Sequence, residues 1–142
     1  MWTRDYSLAT DLAAQDLWEL LGDVDGWVRW NDGIESLTVD GPVALGTTFQ
    51  MTPPGEEAVT STIVALEPGW LLTDLTELDG LSIRVEHRLD PLPGGGTTVT
   101  YRVQVSGAVP EEVAQEVGVA VSADFPEVIA SLVAAARTGS GR

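Results

Sequence analysis

In SIRVEHRL, residues 82 to 89, the odd positions Ile83, Val85, His87 and Leu89 stand against Ser82, Arg84, Glu86 and Arg88 at the even ones. The same parity runs through TTVTYRVQV, where Val99, Tyr101, Val103 and Val105 alternate with Thr98, Thr100, Arg102 and Gln104. A period of two predicts strands with one buried face, and both strands put their apolar face at odd numbers. Four more stretches are rich in β-branched and aromatic residues: ESLTVD, GTTFQMT, VTSTIVAL and WLLTDLTEL, between residues 35 and 78. The turn clusters DGP, PPGEE, EPG, LDG and DPLPGGG separate the six segments. Short strands joined by tight turns predict an antiparallel meander. WTRDYSLAT, residues 2 to 10, predicts one further strand ahead of it.

Two segments follow a period of three and four instead. In LAAQDLWELLGDV, Leu17, Leu20, Leu21 and Val24 form one apolar stripe, with Thr10 or Asp11 placed to cap the helix and Gly22 to end it. Trp27 and Trp30, three apart, fall on one side of a short helical turn. From Pro110 the chain is helical again, and Val113, Val117, Val121, Phe125, Ile129, Leu132 and Ala136 mark a continuous apolar face. Glu111 and Glu112 suit the positive end of that helix and Arg137 the negative end. Pro126 predicts a kink, or a break restarted at Asp124. The order of elements makes an α+β domain with a long C-terminal helix laid across a curved antiparallel sheet. Space between helix and sheet is the natural ligand site.

Composition narrows the chemistry. The 142 residues suffice for one core, so we expect a single domain over 1–137 and a loose tail at 138–142. Twenty-two acidic residues against seven arginines and no lysine give a net charge of -15, which repels phosphate backbones and excludes nucleic acid as an expected partner. Acidity without lysine fits either a salt adaptation or, as simply, a GC-rich genome that favours arginine codons, and the genomic reading is preferred. With no Cys there is no disulfide, thiolate nucleophile or thiolate metal site; with no Lys there is no Schiff base; with one His there is no multi-histidine metal centre. No metal and no cofactor is expected. No signal-peptide pattern and no apolar run of membrane-spanning length stands out, so we expect a cytoplasmic protein, monomer or homodimer. Gly94–Gly96 leads into a strand, whereas a phosphate-binding loop opens a helix, so it reads as a hairpin turn.

LWELLGDVDGWVRWNDGIESL at 17–37, LGTTFQM at 45–51, ALEPGWLL at 65–72, HRLDPLPGGGTTVTYRV at 87–103 and FPEVIASL at 125–132 occur in an order and spacing that resembles the START-like (SRPBCC) superfamily. Its members include polyketide cyclase/dehydrase proteins and the birch-pollen-allergen fold. The resemblance spans nearly the whole chain and implies a helix-grip fold. It also implies a hydrophobic or amphipathic ligand between sheet and long helix, which some relatives transform and others only carry. A fold shared by many functions does not choose among them.

The residues offer a short set of candidates. Parity puts His87 and Tyr101 on the same buried face, within about two rungs of each other, or about 5 to 8 Å between Cβ atoms. His87 titrates near neutrality unaided and suits a general acid or base, with Tyr101 polarising an oxygen. The bland alternative is a strand histidine bonded to Tyr101, to a backbone carbonyl or to water. Asp74 and Glu77 lie in a strand whose two faces are both mixed, which leaves their direction open; facing inward, Asp74 becomes a second acid-base candidate with its pKa raised by burial. Trp27, Trp30, Phe49, Met51, Val85, Val99, Val121 and Phe125 complete the candidate ligand-binding set, with Trp27 and Trp30 at the mouth. Arg84, Glu86, Arg88 and Arg102 read as a solvated face, and Trp18 and Trp70 as structural. Two main readings follow: an enzyme that cyclises or dehydrates an oxygenated hydrophobic substrate, or a carrier or sensor of a hydrophobic metabolite or lipid. A weaker third is an interaction module docking through its long helix.

Overall fold

The computed structural model describes residues 1–139. Seven strands, β1 (Trp2–Thr10), β2 (Ser36–Val39), β3 (Thr48–Thr52), β4 (Val59–Glu67), β5 (Leu71–Leu78), β6 (Leu81–Pro91) and β7 (Thr97–Gly107), form one antiparallel sheet in the order β1-β7-β6-β5-β4-β3-β2. The six predicted meander strands are all present, and β1 closes back beside β7, with Tyr6 opposite Tyr101. The β6–β7 hairpin pairs His87 with Tyr101 and Leu89 with Val99. Its turn needs glycine: Gly94, Gly95 and Gly96 have φ of 88°, 99° and 113°, and a Cβ on Gly96 would lie 2.6 Å from the Thr10 carbonyl oxygen. The triplet is a hairpin turn, as its place before a strand required.

The first helix, α1 (Ala14–Leu21), starts later than the sequence suggests. Ala13 is the N-cap and makes no side-chain cap, because β1 runs on to Thr10 and leaves two residues to turn the corner. Thr10 Oγ1 accepts from the Leu12 amide at 3.4 Å instead, and Asp11 accepts from Arg137 at 2.8 Å, tying this corner to the C-terminal helix. Leu17, Leu21 and Val24 are fully buried, and a 3-10 helix follows over Val24–Arg29.

The C-terminal run is two helices, α2 (Glu111–Ser122) and α3 (Phe125–Gly139), broken at Ala123 and Asp124. The Asp124 carbonyl accepts the first bond of α3, from the Val128 amide at 2.9 Å. Pro126 therefore sits in the first turn, where its missing N–H costs nothing. In α3 the predicted stripe holds, with Phe125, Ile129, Leu132 and Ala136 buried. In α2 it is rotated: Ala114, Gly118 and Ser122 are buried, Val117 and Val121 flank them half-buried, and Val113 is exposed. The cause is Trp2, whose indole fills the space a side chain at Gly118 would need; a Cβ there would come within 2.1 Å of the ring. α2 thus approaches the sheet closely enough to need small residues. α3 continues through Thr138 and Gly139, two residues into the expected tail, and positions 140–142 lie outside the described residues.

The 111–139 segment is apolar and long enough by composition to cross a membrane, against the expectation that no run was. Its break and its packing on β1, β7 and α1 make it the core helix of a soluble fold. Buried side chains fall into two clusters. One joins the helices to β6 and β7; the other, Val24, Trp27, Ile34, Phe49, Ile63 and Leu72, lies under β3 to β5. Trp18 and Trp30 pack against both.

Candidate functional site

The site forms where β5, β6 and β7 meet the two clusters. Along β6, His87 lies opposite Leu72 of β5 on one side and Tyr101 of β7 on the other; Asp74 of β5 lies opposite Val85. Strand alternation sends Leu72, Asp74, His87 and Tyr101 to one face. Asp74 therefore faces inward and is 7% exposed, while Glu77 is exposed. The sequence left Asp74 open because Leu72, Thr73 and Asp74 are all buried, so β5 carries no amphipathic alternation there.

His87 Nδ1 is 2.8 Å from the Leu72 carbonyl oxygen. A carbonyl only accepts, so Nδ1 carries the proton and the neutral ring presents an unprotonated Nε2. Nε2 stands 3.9 Å from Asp74 Oδ2. Among the described residues, neither the Asp74 carboxyl nor the Tyr101 hydroxyl has a hydrogen-bond partner. Burial pushes the Asp74 carboxyl up to about 7. It pushes His87 down to about 4, with the bond to Leu72 opposing. Tyr101 is raised by burial and then by the Asp74 and Asp124 carboxylates. All three are moved toward the neutral form because burial removes water from the charged one.

Aromatic rings surround them. Phe49, Trp27, His87, Tyr101 and Phe125 form a row with successive centroids 5.8, 5.2, 4.6 and 5.5 Å apart, three of the four contacts edge-to-face. The row draws one ring each from β3, the 3-10 helix, β6, β7 and α3. Trp27 Nε1 donates to the Leu21 carbonyl at 2.9 Å, which fixes the indole as a buried wall rather than at a mouth. Trp30 is half-buried, and its Nε1 is covered with no acceptor. Val85 flanks Asp74; Val99 and Val121 belong to the helix-side cluster, and Met51 edges the other. Asp124, which the sequence used only as a restart point, is exposed in the break between the helices, and partial desolvation raises its carboxyl above the ordinary value. On the opposite face Arg88 pairs with Asp90 and Arg102 with Asp5, as exposed pairs do.

The open space expected between sheet and helix is occupied by this aromatic row. Two solvent-open hollows lie elsewhere. One, of about 280 Å³, runs between the 3-10 helix and the end of α3, beside Asp23, Arg29 and Trp30. The other lies on the outer side of α2 around Glu112 and Glu116. Among the described residues no group of His, Asp and Glu is arranged to hold a metal ion.

A sequence model for the family described as polyketide cyclase / dehydrase and lipid transport matches residues 1–137. The chain belongs to that family. No curated protein matches the sequence. Among solved structures, the di-domain aromatase/cyclase StfQ of the steffimycin biosynthetic pathway is 18% identical with a TM-score of 0.76, over 99% of this chain and 52% of that one. The present chain thus spans about half of StfQ. Ara h 8.0201 is 16% identical with a TM-score of 0.73, over 96% of this chain and 98% of that one. A START superfamily protein from Mycobacterium smegmatis is 10% identical with a TM-score of 0.68, over 92% and 93%. At these identities the likeness is one of fold, the helix-grip fold. Family membership is that of a hydrophobic-ligand-binding fold, and the site is left to the residues.

Proposed function

We propose that this protein binds one hydrophobic small molecule on the concave face of the sheet beneath α2 and α3, and moves a proton on it in a cyclase- or dehydrase-type reaction. The observation that carries this reading is the Asp74, His87 and Tyr101 group, three buried polar side chains in an aromatic row with a carboxyl, a lone pair and a hydroxyl unpaired. Three titratable side chains gathered on one apolar face, each moved toward its neutral form by burial, are what a proton-moving site needs. In the proposed reaction His87 Nε2 takes a proton from an acidic position of the ligand. Asp74, titrating near neutrality, returns one, and Tyr101 polarises the reacting oxygen. The rings hold the apolar body and exclude water.

Ring side chains must give way to admit a ligand. The seam at Ala123 and Asp124 interrupts helical hydrogen bonding directly before Phe125, the ring packed on Tyr101, and is the natural point of opening. The net charge of -15 argues against a nucleic-acid partner. A second reading, a carrier without chemistry, is favoured by the enclosure of the three groups in packed side chains. Native mass spectrometry followed by denaturation tests binding: a released apolar molecule at one per chain is expected, and failure to take up any flat apolar compound sinks the reading. For the reaction, His87→Gln and Tyr101→Phe are expected to lose turnover of that molecule; undiminished turnover leaves only the carrier.

A further inference from the structure

The tautomer lock on His87 restricts what the concave face recognises. Because Leu72 holds the Nδ1 proton, Nε2 acts only as an acceptor while the ring is neutral. Nε2 and Asp74 Oδ2, 3.9 Å apart, are too distant to bond directly. An oxygen about 2.8 Å from both would close the triangle. That oxygen must donate to Nε2 and accept from the carboxyl in its protonated form. An O–H group does both. A ketone or ether has no proton to give, an ammonium has no lone pair to accept with, and a carboxylate sets a negative charge against a lone pair and an acidic group. The two side chains keep a residual exposure of 10% for Asp74 and 6% for His87.

We propose that the bound molecule presents a neutral hydroxyl, whether phenol, enol or alcohol, on an apolar ring-bearing body, and that Asp74 is the residue that selects for it. The rings of Trp27 and Tyr101 on either side of His87 supply edge and face contacts for such a body. The proposal rests on the binding reading above and adds the chemistry of the ligand.

The test uses four compounds of one shape, 1-naphthol, 1-methoxynaphthalene, naphthalene and 1-naphthoate, titrated calorimetrically into the full chain. 1-Naphthol is expected to bind about tenfold or more tighter than the methoxy compound and naphthalene, with 1-naphthoate weakest. Asp74→Leu is expected to bring naphthol and naphthalene within about threefold of each other. Asp74→Asn, which keeps a donor, retains the preference and serves as the check on folding. Naphthol and methoxynaphthalene binding equally well overturns the hydroxyl rule and leaves the binding reading standing. Binding of none of the four removes both.

Discussion

At the scale of single residues, Asp74 and His87 make folding a proton exchange. Between about pH 4 and 6.5 the unfolded chain carries Asp ionised and His protonated, whereas the folded chain holds both neutral, so folding moves a proton from one to the other with little net uptake. The signs oppose. For Asp74, raised to about 7, the folded state binds the extra proton and stability falls as pH rises from about 4 to 7. For His87, lowered to about 4, the unfolded state binds it and stability rises over about 4 to 6.5. Each slope amounts to about 3 to 4 kcal/mol over its window. Asp74→Asn is expected to unmask a stability that rises with pH over that range, and His87→Gln one that falls, each relative to wild type in urea titrations at stepped pH. Parallel profiles for all three proteins would show that the pair does not titrate as its burial implies.

At the scale of elements, the close approach of α2 to β1 turns on Gly118 and Trp2. Gly118→Ala places a methyl group inside the indole ring and is expected to destabilise by about 1–3 kcal/mol, against the modest gain that alanine brings to an open helix. Combining it with Trp2→Ala is expected to cost less than the sum of the single changes, because the second removes the clash. Chemical denaturation of the four proteins checks both. The anchor of the 3-10 helix is Trp27, whose indole donates to the end of α1. Trp27→Phe keeps a ring but leaves the Leu21 carbonyl without its donor, and is expected to lower stability by about 1 kcal/mol. An unchanged midpoint would show that this bond contributes nothing net.

At the scale of the molecule, a charge of -15 on one domain works against its own compactness. Raising salt from about 10 mM to 0.5 M screens that repulsion beyond about 4 Å. The few exposed ion pairs, such as Arg102 with Asp5, lose little in exchange. Tm is therefore expected to rise with salt in scanning calorimetry; a fall would mean that the arginine pairs outweigh the general repulsion.

Strand number, the shared face of His87 and Tyr101, and the helical break before Phe125 were legible in the sequence, because periods of two and three to four and the rigid geometry of proline act locally. The rotated face of α2, the inward turn of Asp74 and the single tautomer of His87 were decided by tertiary structure. Trp2 reaches Gly118 from 116 positions away, Asp74 lies in a strand buried on both sides, and the partner of His87 is a main-chain carbonyl that any residue at position 72 would supply. Sequence pattern records which side chains avoid water. It does not record which distant backbone atom or ring they meet there, and that meeting sets the proton on Nδ1.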